Sequence, residues 1–119
     1  MKFKFESLQV WQKTIEIGDS IDSIAKTFPK HELYSLSDQI RRASISISLN
    51  LAEGCNIQSS KQHLLFLNYA TRSLYEVVSA LIIAQRRGYL SDELFQKTYD
   101  ELFHLKNMLL SYRKYIQKP

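Results

Sequence analysis

The chain has 119 residues, 45% of them hydrophobic, with three glycines, two prolines and one cysteine. That is enough for one domain with a core of its own, and the apolar share excludes wholesale disorder. A formal net charge of +4 and a pI near 9.2 are mildly basic, compatible with nucleic acid or an acidic partner but common in proteins that touch neither.

The scarcity of glycine and proline predicts a few long helices. The first should start near Glu6 or Ser7 and run to about Thr27. Val10, Thr14, Ile17, Ile21, Ile24 and Phe28 recur at alternating spacings of four and three, the seam of a bundle helix. Leu8, Trp11, Ile15, Gly18 and Ala25 form a second row, with Gly18 marking a close approach or a seat for Trp11. The residue before proline avoids helical geometry, so Phe28-Pro29 ends this element and residues 29–36 form a connector.

The second helix spans Ser37 to Gly54, with Ser35 or Ser37 as its N-cap and Asp38 at its positive end. Leu36, Ile40, Ala43, Ile47 and Leu51 make one apolar stripe and Ile45, Leu49 and Ala52 another. Between them run Gln39, Arg42, Ser46, Asn50 and Glu53, spaced 3, 4, 4 and 3. A polar seam flanked by apolar stripes is expected to be at least partly buried, where its groups must find partners.

Ser59-x-x-Gln62 has the form of a capping box and opens the third helix. Phe66, Ala70, Leu74, Val77, Leu81 and Ala84 form its core face, opposed by Asn68, Arg72, Ser79 and Arg86. Arg86-Arg87-Gly88 closes it, with basic residues on the negative end and glycine for a left-handed cap. Ser91 caps the fourth helix, whose seam is Leu94, Thr98, Leu102, Leu105, Leu109, Tyr112 and Ile116. Residues 1–119 therefore read as a single all-α domain, an antiparallel up-down-up-down four-helix bundle.

Leu8-Gln-Val-Trp-Gln, Gln39-Ile-Arg-Arg-Ala, Asn50-Leu-Ala-Glu-Gly, and Phe66-Leu followed by Ser73-x-x-Glu76 occur together. This combination resembles the four-helix-bundle proteins encoded by intervening sequences within bacterial 23S ribosomal RNA genes. The resemblance covers nearly the whole chain. It implies a ring-shaped homo-oligomer, a pentamer, with no established catalytic activity and with nucleic-acid binding as the usual suggestion. The family's central motif usually carries a proline where this chain has Ser48, so the second helix should be straighter here.

Folding the third helix back on the second brings Ser73 and Glu76 near Gln39 and Arg42. A charge-paired Arg42 and Glu76 is geometrically reasonable there. Gln39, Arg42, Ser46, Asn50, Glu53, Ser73 and Glu76 read as a buried polar network or oligomer interface in preference to a binding site.

The bundle topology gathers Lys2, Lys4, Lys61, Arg113, Lys114 and Lys118 at one pole, with Tyr112 and Tyr115 among them and Glu6 and Glu53 opposing. Such an end can hold phosphates and stack bases, making RNA, DNA or a nucleic-acid-handling protein the candidate partner. Helix-dipole compensation is the plainer reading of the same residues.

Other chemistry finds little support. Glu101-x-x-His104 has the spacing of a di-iron bundle, but no second such motif exists. Cys55 lies at a helix C-terminus, where a thiolate is disfavoured. His63 nearby has no evident third orienting group. No Walker or dinucleotide glycine pattern occurs. Neither metal nor cofactor is expected, and the chain reads as a non-enzyme. No apolar run reaches the ~20 residues of a bilayer span, and Met1-Lys-Phe-Lys-Phe-Glu lacks the features of a secretory signal. With Cys55 alone there is no internal disulfide framework, so we expect a cytoplasmic protein with no membrane partner.

Overall fold

The computed structural model describes residues 1–119 as helices and short connections, with no strand. Four long helices, α1 (Gln9–Ala25), α2 (Leu36–Cys55), α3 (Ser60–Arg86) and α4 (Asp92–Gln117), form a rod of 47 × 26 × 23 Å. Each packs against its neighbour in sequence, and α1 closes the square against α4. The widest contact joins α2 to α3. The chain thus alternates direction around one core, as the short connections require. No helix is long and apolar enough to cross a membrane.

The core follows the expected seams. Val10, Ile17, Ile21 and Ile24 of α1 meet Ile40, Ile47 and Leu51 of α2, Leu74, Val77 and Leu81 of α3, and Leu102, Leu105 and Leu109 of α4, all buried. A Cβ at Gly18 would lie an ordinary 3.5 Å from Ser44 Oγ, so the approach of α2 does not require glycine there. Thr14 of the α1 seam, itself bonded to the Trp11 carbonyl at 2.6 Å, accepts from Ser48 Oγ at 3.0 Å. Ser48 thereby gives α2 a polar tie to α1, and α2 runs unbroken past this position.

The ends refine the sequence expectations. α1 begins at Gln9, later than Glu6 or Ser7, because Lys4–Ser7 forms a separate 3-10 turn. It stops at Ala25, where Thr27 and Phe28 tighten onto the Ile24 and Ala25 carbonyls ahead of Pro29. Ser35 occupies the N-cap of α2 without a side-chain cap bond. Ser37 instead reaches back to the Ala25 carbonyl at 3.4 Å. Ser59 and Ser91 cap α3 and α4 through the Gln62 and Leu94 N–H groups at 3.4 and 3.1 Å. Gly88 sits at φ +75°, and the Tyr89 N–H bonds the Ala84 carbonyl at 3.0 Å, the six-to-one bond of a Schellman stop.

Candidate functional site

The pole formed by the start of the chain, the α2–α3 turn and the end of α4 contains a cleft of about 520 Å³. Leu8, Ile57 and Ile116 line its apolar part, and Lys4, His63 and Tyr115 its polar part. His63 is held by Tyr112: its Nε2 lies 2.9 Å from the phenol oxygen, and the rings meet edge to face. Burial, reinforced by the Lys4 charge, lowers the His63 pKa. The imidazole is therefore neutral at pH 7 and can accept the Tyr112 proton when Nδ1 carries its own. Burial pushes the phenol of Tyr112 well above its ordinary value, and the adjacent Cys55 thiol adds to the effect. Tyr112 is thus held neutral beside His63, and which of the two donates follows the imidazole tautomer. Tyr115 lies nearly parallel to it, at 16° with centroids 6.3 Å apart, and is 71% exposed.

The expected basic residues are placed as follows. Lys4 borders the cleft, and Lys2, Lys61, Lys114 and Lys118 are exposed around it at the same end of the rod. None of these five lysines makes an ion pair. Arg113 differs, being half-buried and hydrogen-bonded to Asn68 of α3. Glu6 is occupied by the Phe3 N–H at 2.9 Å. Phe3 and Phe5 stack at 6.1 Å, and Phe5 leans edge-on against Trp11 at 4.9 Å, on the α1–α2 side of the pole.

The polar seam of α2 departs from expectation in two respects. Within one chain it is not enclosed: Gln39, Arg42 and Glu53 are exposed, and only Ser46 and Asn50 are partly covered. Ile45 and Leu49 beside it are 58% and 60% exposed, so the second apolar stripe has no partner helix to cover the seam. The Arg42–Glu76 pair is also absent. Arg42 joins Asp38 at 3.5 Å, one turn back on its own helix, and Glu76 accepts from Gln39 Nε2 at 3.1 Å. The buried part of the network is smaller than expected. Ser73 donates to Ser46 Oγ at 2.9 Å, and Asn50 Nδ2 donates to the Ser46 carbonyl and hydroxyl at 2.8 and 3.0 Å.

Glu101 and His104 find no further ligands, for nowhere do three His, Cys, Asp or Glu side chains converge as a metal set. Cys55 is buried at 4% exposure, and His63 pairs with Tyr112. The sequence reasoning missed a cluster at the opposite pole. There the buried Glu32 accepts from Arg87 at 2.8 Å and from Tyr89 at 2.7 Å, with His31 3.9 Å away. Its one signal in the sequence is an acidic residue inside an otherwise basic connector.

Comparison with known proteins decides the lineage. The profile of the 23S rRNA-intervening sequence protein family matches residues 6–111. The chain belongs to that family. A crystal structure of a protein of unknown function from the S23 ribosomal protein family of Bacteroides thetaiotaomicron is similar in fold. Its TM-score is 0.81 at 24% identity, covering 88% of this chain and 98% of that one. No curated protein matches. Family membership agrees with the four-helix fold and leaves function to be argued from the site.

Proposed function

We propose that this protein is a non-enzymatic, self-assembling bundle of the cytoplasm that presents its basic pole to RNA or DNA. The observation carrying the reading is the group Lys2, Lys4, Lys61, Lys114 and Lys118, exposed at one end and without a carboxylate partner. Dipole compensation accounts for Lys114 and Lys118 at the end of α4. It does not account for Lys61, which sits in the first turn of α3, where the dipole repels a cation. Like charges crowd together at a cost unless a polyanion relieves them.

Assembly rests on two unlike apolar faces. Ile15, Ile45 and Leu49 are exposed along the α1–α2 side, and Tyr75 and Phe103 along the α3–α4 side opposite. A contact between unlike faces is head-to-tail, and it closes into a ring when the rotation permits. A homopentamer, in keeping with the family, would repeat each basic pole five times and turn weak contacts into multivalent ones.

The test is retention of nucleic acid at two salt concentrations by the wild type and by the double variant Lys114→Glu, Lys118→Glu. Retention that falls steeply with salt and is lost in the variant supports the proposal, and unchanged retention removes this pole. The same exposed faces favour a second reading, a structural or regulatory oligomer that binds another protein, including one that handles nucleic acid. Capture of a partner that survives nuclease treatment, with no retention of nucleic acid by the purified protein, would favour it.

A further inference from the structure

Resting on that reading, we infer that the cleft at the basic pole seats one unpaired base of a single-stranded segment, stacked on Tyr115. Three features combine there. The cleft, at about 520 Å³, lies in the size range of ordinary small-ligand pockets, large enough for a nucleobase and its sugar. Its walls are divided by chemistry. Leu8, Ile57 and Ile116 supply apolar contact, while His63 supplies a ring whose position is fixed by Tyr112. The Tyr115 ring is 71% exposed yet aligned with Tyr112 behind it, which gives a base a platform that costs little to order.

The charge arrangement selects the occupant. Lys4 stands at the cleft itself, where one phosphate would follow from a seated base. The unpaired lysines continue outward over both neighbouring helix ends. That spread exceeds what a free mononucleotide could use and matches the repeating charge of a strand. A duplex keeps its bases stacked inside, so it can meet the lysines but offers nothing to Tyr115.

The experiment measures binding of a labelled oligonucleotide as a single strand, ribose or deoxyribose, and as the duplex of the same sequence. The assembled wild-type protein is compared with Tyr115→Ala and Tyr115→Phe. The expected result is tighter binding of the single strand, weakened roughly tenfold by Tyr115→Ala, as loss of one base–aromatic stack implies. Duplex binding should be unchanged, and Tyr115→Phe should behave as wild type. Because Tyr115 is exposed, neither variant threatens the fold. Equal binding of both forms that ignores Tyr115→Ala overturns the cleft and leaves the basic pole standing. Absence of binding by either form overturns both.

Discussion

The Tyr89 hydroxyl donates to Oε2 of Glu32 across 2.7 Å, fastening the connector after α1 to the turn before α4. Arg87 reaches the same oxygen at 2.8 Å. One buried carboxylate thus ties the connector to two residues of the α3–α4 turn, at the pole remote from the lysines.

Tyr89→Phe should lower the urea midpoint at neutral pH, because it removes a donor from a buried carboxylate. The pH dependence follows from the same bonds. The Tyr89 hydrogen bond, then the Arg87 guanidinium, hold the Glu32 pKa below its ordinary 4.5 despite opposing burial. This stabilisation is fully present above that ordinary value and is lost as pH falls through the depressed one. The bond to Glu32 likewise raises Tyr89 above 10.0, so its contribution is full below that value and lost as pH rises through the raised one. Midpoints of wild type and Tyr89→Phe should therefore differ most near neutrality and converge in acid. A gap that persists at the acid limit would disprove the linkage.

Two glycines should respond oppositely to alanine. At Gly18 the new methyl would meet Ser44 Oγ at an ordinary 3.5 Å, so the gain in helix propensity dominates and stability should rise by about 0.5–1 kcal/mol. At Gly54 it would meet Phe66 Cβ at 3.0 Å and His63 Cδ2 at 3.1 Å. Crowding there should cost about 1–3 kcal/mol. Denaturant melts of the two variants check the pair.

Assembly should depend on exposed α2 side chains that contribute little to the single chain. Ile45→Glu with Leu49→Glu should reduce the mass seen by light scattering while leaving helicity intact. An unchanged mass would remove the α1–α2 face from the contact. Arg42→Ala takes away only a solvent-exposed pair with Asp38, so its effect on stability should stay within about 0.5 kcal/mol. Any change in mass would place Arg42 between subunits.

What could be read from the residues was what local rules govern. The α1 seam from Val10 to Phe28, the serine caps at Ser59 and Ser91, and the Gly88 stop follow from periodicity and termini alone. The Arg42–Glu76 pair fits the fold of α3 back on α2 but does not form, because each residue has a nearer partner. Asp38 lies one turn from Arg42 on the same face, and Gln39 is nearer to Glu76. The role of Glu32 was hidden because its partners stand 55 and 57 residues away. The cleft was only half visible: periodicity brings its helices to one pole, but the pairing of His63 with Tyr112 depends on the rotation of α3 against α4.

The unequal helix contacts also set an order in time. Contacts between chain neighbours close short loops and form quickly, and the broad α2–α3 hairpin is the natural nucleus. The narrowest seam joins α1 to α4, elements at opposite ends of the chain, so it forms late and opens early. Breathing of the folded protein should therefore begin with α1 or α4 lifting away while the central hairpin stays shut, leaving amides of α2 and α3 the slowest to exchange.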